Sequence, residues 1–186
     1  MNLPIVPVTD LAVKDNNLIV ATQGRSLWMI DDLTVLHQLY DIDNATNHLF
    51  QPKPTYRMRG GGRSGSLTSG TNHPNGVITY FNLAEVSKDA KIALTYLTQA
   101  GDTIQSFSNS DKKKNLKVEK GANQFVWDMT YDGAETLPGM ILWWSSLDGP
   151  QAVPGTYQVS LNVNGTVQNQ TFEILADPRS ESTPEG

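Results

Sequence analysis

Residues 156–163 read Thr-Tyr-Gln-Val-Ser-Leu-Asn-Val, and Asn164-Gly165 follows them directly. Apolar side chains occupy every second position from Tyr157 to Val163, and polar side chains occupy the positions between them. This alternation predicts a β-strand that has one face in a hydrophobic core and the other in water. Because Asn-Gly readily adopts the two positive φ angles of a type I′ turn, the chain is predicted to return as a second strand over residues 167–175.

Shorter segments with a similar pattern lie upstream of this hairpin. The candidate strands are Gly76–Leu83, Lys91–Thr98, Thr103–Ser108, Asn123–Met129 and Gly139–Trp144. Turn residues recur about every ten residues across this region, which is the spacing of an antiparallel β-sandwich. We therefore predict an all-β sandwich over residues 76–177. Its predicted core residues are Phe81, Leu94, Phe125, Trp127, Tyr157, Val159 and Leu161.

The first 50 residues form a separate region with shorter elements. Leu11–Val13 and Leu18–Thr22 are predicted to form a hairpin, and Ser26–Ile30 a third strand. Asp31-Asp32 is predicted to cap a short helix. Residues 1–50 are too few for a stable fold of their own, so we expect a neighbour to cover their apolar face.

Two further segments are predicted to lack regular structure. Residues 51–75 contain Pro52, Pro54 and the run Gly60-Gly61-Gly62. This composition buries little surface on ordering, so it favours a linker or loop. Residues 178–186 are mostly polar and are predicted to be a disordered tail.

The composition argues against several classes of protein. The chain has 186 residues, 14 Lys and Arg, 19 Asp and Glu, and a formal net charge of −5, whereas nucleic-acid-binding domains usually carry a basic face. It has no cysteine, so disulfides, thiolate nucleophiles and cysteine-ligated zinc are excluded. No apolar stretch approaches the roughly 20 residues that a membrane-spanning helix needs. Residues 1–10 lack the basic and apolar regions of a signal peptide.

Metal and nucleotide patterns in the chain are incomplete. The three histidines, His37, His48 and His73, are not spaced as metal-ligand pairs. Asp41-Ile-Asp43-Asn44 is similar to the start of a calcium loop but lacks the loop's glycine and glutamate. Gly60, Gly62 and Gly65 match the letters of a dinucleotide motif, but no helical pattern follows them. We therefore expect no metal and no cofactor.

The side chains that could carry a function lie between residues 128 and 151. Trp143 and Trp144 are adjacent, so in a strand they would point to opposite faces, and one would lie outside the core. An exposed tryptophan can pack on a neighbouring domain, or it can stack on a sugar ring with Asp148 and Gln151 as hydrogen-bond partners. A weaker hypothesis is a hydrolase that uses Asp128 and Glu135, since glycosidases act through paired carboxyl groups.

Two regions of the chain resemble bacterial sortilin-like, BNR-repeat proteins, which are often labelled glycosyl-hydrolase-like or sialidase-like. Residues 10–32, DLAVKDNNLIVATQGRSLWMIDD, resemble the last blade of the β-propeller in those proteins. Residues 121–128 (GANQFVWD), 138–143 (PGMILW) and 149–157 (GPQAVPGTY) resemble the Ig-like domain that follows the propeller. The second set is also similar to the Ig-like domain of flagellar hook-capping proteins.

The resemblance implies strands of a terminal propeller blade followed by an Ig-like, fibronectin type III-like β-sandwich. It implies a secreted or periplasmic, non-catalytic accessory domain that packs on the propeller of the same parent chain, with Leu11, Val20, Leu27 and Trp28 in the docking strands. A propeller contains about four to eight blades, so any catalytic groups would lie in a part of the parent protein that this sequence lacks. Open strand edges tend to pair with another chain, which favours a homodimer.

Overall fold

The computed structural model describes residues 5–39, 46–58, 74–135, 137, 139–141, 143–144 and 146–180. Their regular structure is nearly all β, as the sequence predicts. The chain divides into two compact units, Met1–Ile42 and Asp43–Gly186, here called the N-terminal and C-terminal units. Within the described residues, no helix is long and apolar enough to cross a membrane.

The N-terminal unit is a small three-stranded sheet followed by one short helix. Its elements are β1 (Val8–Lys14), β2 (Asn17–Thr22), β3 (Leu27–Ile30) and α1 (Thr34–Gln38). The strands form an antiparallel meander with β2 in the centre. The side chain of Asn16, in the β1–β2 turn, donates to the Asp32 carboxylate (3.2 Å) and the Thr34 hydroxyl (2.8 Å). These bonds hold the start of α1 beside that turn.

The C-terminal unit is a β-sandwich of two sheets. Its strands are β4 (His48–Leu49), β5 (Thr55–Arg57), β6 (Val77–Leu83), β7 (Ile92–Thr98), β8 (Thr103–Ser108), β9 (Gly121–Trp127), β10 (Gly155–Val163) and β11 (Thr166–Ala176). The larger sheet has the order β5-β11-β10-β7-β8 and the smaller sheet the order β4-β6-β9. The β10–β11 hairpin turns at Asn164 and Gly165, whose φ angles are 53° and 94°. The predicted turn and its two positive φ angles are therefore confirmed.

Some predicted boundaries differ from those of the structure. The sandwich begins before residue 50, because His48 and Leu49 form β4 and pair with β6. It also includes part of the predicted linker, since Thr55–Arg57 run parallel to the end of β11 as β5. These short strands form because their backbone groups find partners on existing sheet edges. Residues 59–73 of the predicted linker and 181–186 of the predicted tail lie outside the described residues.

The core of the sandwich lies between the two sheets and is centred on Trp127. Tyr96 of the larger sheet stacks on Trp127 of the smaller sheet, with ring centroids 4.5 Å apart. The hydroxyls of Tyr96 and Thr79 share a buried hydrogen bond of 2.8 Å, and burial raises the pKa of Tyr96. Phe125 is half-buried, and the other predicted core residues are buried: Phe81, Leu94, Trp127, Tyr157, Val159 and Leu161.

Candidate functional site

The β9–β10 loop, residues 128–154, carries all the candidate residues that the sequence places in the sandwich. Its two ends run side by side as antiparallel legs. Backbone hydrogen bonds join them from Ala152 N–H to the Met129 carbonyl (2.6 Å), from Tyr131 N–H to the Pro150 carbonyl (2.9 Å) and from Ala134 N–H to the Leu147 carbonyl (2.9 Å). Met129 and Ala152 are fully buried, so the base of the loop is fixed to the core.

The legs approach so closely that two glycines are required between them. A Cβ atom on Gly133 would overlap the carbonyl oxygen of Leu147, and one on Gly149 would overlap the carbonyl oxygen of Tyr131. Lys114, from the segment between β8 and β9, forms an ion pair with Asp132 on the first leg. The base of the loop is therefore held by backbone contacts, core packing and one charge pair.

Beyond this base, the loop exposes a group of large apolar side chains, here called the tip. Its members are Leu137, Met140, Ile141, Trp143 and Trp144. Trp143 is 81% exposed and Trp144 is 102% exposed. The predicted strand over Gly139–Trp144 is absent from the described residues of that range, and Trp144 has a φ angle of 54°. Both tryptophans, rather than one of the two, therefore lie outside the core.

The two polar residues proposed as sugar ligands already have partners within the chain. The carboxylate of Asp148 accepts a hydrogen bond from the Ser146 hydroxyl. The backbone N–H of Asp148 donates to the hydroxyl oxygen of Ser146 at 3.0 Å. The side-chain oxygen of Gln151 accepts a hydrogen bond from the guanidinium of Arg57 at 3.4 Å.

The two candidate hydrolase carboxylates are both exposed. Asp128 accepts hydrogen bonds from the backbone N–H of Thr130 (3.1 Å) and from its hydroxyl (2.6 Å). This is the usual arrangement of an aspartate that forms a turn after a strand. A glycosidase acid normally occupies a sheltered site, whereas Asp128 and Glu135 are exposed to solvent.

A second candidate surface is the sheet of the N-terminal unit, which exposes large apolar side chains on both faces. Leu11 pairs with Val20 and Val20 with Trp28, so these three side chains share one face. Leu27 lies on the opposite face, because it pairs with Ala21, the neighbour of Val20 in β2. Leu11 is 60% exposed and Leu27 is 71% exposed. The four predicted docking residues are therefore divided between the two faces.

Two further exposed side chains of this sheet are not among the docking residues predicted from the sequence. Val13 lies on the same face as Leu11, and Met29 on the same face as Leu27. The strand alternation over residues 8–14 and 27–30 could have identified them, since residues two apart share a face. In the residues that the structure describes, only Val20 and Leu33 of this unit are buried apolar side chains.

No group of three His, Asp or Glu side chains in the described part of the chain is arranged to hold a metal ion. No protein-family model matches the chain, and a search of the curated proteins finds no similar sequence. The candidate surfaces that the exposed apolar side chains define are the tip of the β9–β10 loop and the two faces of the N-terminal sheet.

Proposed function

We propose that the chain is a non-catalytic accessory module that packs on and stabilises a β-propeller in the same parent protein. The observation that carries this proposal is the N-terminal sheet, which exposes large apolar side chains on both faces. A sheet whose two faces are both apolar is normally covered on both sides. The blades of a propeller are stacked sheets in this situation, and each has four strands.

The energetics of this sheet support the need for neighbours. Burying one large aliphatic side chain contributes about 1.5–3 kcal/mol. Leu11 and Val13 on one face, and Leu27 and Met29 on the other, are exposed in the unit by itself. Contact with a sheet on each side would bury all four side chains. The summed free energy of that burial is comparable to the free energy of unfolding of a small domain.

The topology of the C-terminal unit supports an Ig-like sandwich as the second part of this module. The first two strands of the unit join different sheets. β4 pairs antiparallel with β6 in the smaller sheet, and β5 pairs parallel with β11 in the larger sheet. Tyr157, near the start of β10, donates its hydroxyl to the Val153 carbonyl at 2.7 Å. A tyrosine that bonds back to the preceding backbone at this corner is typical of Ig-like sandwiches. Together with the sequence resemblance, these features favour the terminal region of a secreted or periplasmic sortilin-like protein.

Hydrogen exchange of the isolated chain, at a concentration where it is monomeric, tests the main proposal. If the N-terminal sheet depends on a neighbour, we expect the amides of residues 17–22 to exchange about 100-fold faster than those of residues 155–163. The sandwich hairpin is the internal control, because both its strands are part of a covered core. Equal protection of the two segments would show a self-sufficient N-terminal domain and would contradict the proposal.

The exposure of Trp143 and Trp144 favours a second candidate, a carbohydrate-binding module. We rank it below domain packing, because the other large side chains that the same loop exposes, Leu137, Met140 and Ile141, are apolar and suit a protein surface better than a sugar.

A tryptophan-fluorescence titration with soluble polysaccharides separates the two candidates. If the tip packs on a domain, we expect no saturable change in the native chain or in Trp144→Ala. Sugar binding would be established instead by saturable quenching that Trp144→Ala abolishes. The control variant Phe125→Leu, an apolar substitution in the sandwich, should retain that quenching.

A further inference from the structure

We propose that the outer edge of β3 is a strand-pairing edge, and that in this chain β3 of a second copy occupies it in an antiparallel orientation. The proposed packing on a propeller concerns the faces of the N-terminal sheet. Pairing of β3 uses the edge of this sheet, so it goes beyond that function. Three features of the unit support it: the protection of the opposite edge, the bare edge of β3 and the charges at the ends of β3.

The edge formed by β1 is protected against pairing. The β1–β2 register shifts between Val8 and Asp10, which marks a bulge or irregularity in β1. The carboxylate of Asp10 accepts the backbone N–H of Leu11 at 2.8 Å. Asp10 and Lys14 also place charges along the strand. Bulges and charged side chains are common means by which proteins prevent an edge strand from pairing.

The edge formed by β3 has none of these features. Leu27, Trp28, Met29 and Ile30 include no charge and no proline, and their register with β2 is continuous. Within the described residues, β2 is the only strand that pairs with β3. Residues 31–33, which follow β3 directly, lead toward the β1–β2 turn, because the Leu33 N–H bonds to the Asn16 carbonyl at 2.9 Å.

Two edge strands of the sandwich are occupied at one end only. At the end of β8, the Leu116 N–H donates to the Ser108 carbonyl at 2.9 Å. Next to the start of β9, the Asn123 side chain bonds to the backbone N–H (2.8 Å) and carbonyl (2.7 Å) of Glu119. Within the N-terminal sheet, the bulge and the charges of β1 leave β3 as the edge that is open to pairing.

The charges next to β3 favour a second copy as the occupant and fix its direction. Arg25 precedes the strand, and Asp31 and Asp32 follow it. An antiparallel copy brings the basic end of each β3 near the acidic end of the other, whereas a parallel copy would place like charges together. Opposite charges across neighbouring strands stabilise the pairing and like charges weaken it. Arg25 and Asp31 are both exposed and so are accessible to a partner.

Sedimentation equilibrium of the full chain, combined with hydrogen exchange, tests this pairing. We expect a reversible dimer, in which the amides of residues 27–30 exchange about tenfold more slowly than in the monomer, while those of residues 8–14 are unchanged. Arg25→Glu places like charges at both ends of the pair and should weaken the dimer about fivefold to tenfold. Adding Asp31→Lys to that variant should restore it. The matched control Lys14→Glu, on β1, should have no effect.

Two results would overturn the inference. One is a chain that stays monomeric at all concentrations, and the other is a dimer whose added protection lies outside residues 27–30. Neither bears on the packing proposal, which fails only if the monomer already protects the N-terminal sheet as strongly as the sandwich.

Discussion

Trp127→Ala is expected to lower the free energy of unfolding of the C-terminal unit by about 3–5 kcal/mol. Trp127 is 1% exposed. It stacks on Tyr96 and meets Tyr157 and Phe172 edge-on, with ring centroids 6.3 Å away in both cases. Its indole N–H also donates to the Thr130 carbonyl at 3.1 Å. The substitution therefore leaves a cavity between the sheets and removes a hydrogen bond at the start of the β9–β10 loop.

Urea unfolding followed by far-ultraviolet circular dichroism measures this loss. The matched control is Trp144→Ala, since Trp144 is 102% exposed and its removal should change the free energy of unfolding by less than about 0.5 kcal/mol. Similar losses in the two variants would show that Trp127 is not the centre of the core. A circular dichroism readout is needed because each variant loses one tryptophan fluorophore.

Strand alternation and turn residues were sufficient to predict most of this fold. The β10–β11 hairpin follows from the alternation after Tyr157 and from Asn164-Gly165, because both signals are local. β4 and β5 could not be predicted in this way. They have two and three residues, and they are strands only because the edges of β6 and β11 are available to them. Such pairing depends on residues far away in the sequence.

The candidate surfaces also could not be predicted fully from local sequence patterns. The apolar run over 139–144 has the composition of a buried strand, but none of its described residues belongs to a strand, and the large side chains described there are exposed. The periodicity of the sequence cannot distinguish an apolar segment that is buried in the core from an apolar segment that is exposed in the chain alone. In the N-terminal sheet the apolar residues were evident from the sequence. Their division between two faces required the register of β1, β2 and β3.

The two exposed apolar surfaces suit a module that is held within a larger protein. Large apolar patches are uncommon on free-standing proteins and mark sites of contact. One of these surfaces is the N-terminal sheet, with its two faces, and the other is the tip, which belongs to the C-terminal unit.

Gly149→Ala is expected to displace the legs of the β9–β10 loop and to destabilise the C-terminal unit by about 1–3 kcal/mol. The added methyl group would overlap the backbone carbonyl of Tyr131 and could not be accommodated by a side-chain rotation. The amides of Tyr131 and Ala134 should then lose hydrogen-exchange protection, because their bonds to Pro150 and Leu147 join the legs.

Ser146→Ala is the control, since the hydrogen bonds given for Ser146 are local ones to Asp148, in the exposed part of the loop. It should leave both the stability and these amides unchanged. Retention of full protection in Gly149→Ala would mean that the legs are not closely apposed in solution, and that the tip is not held on a fixed base.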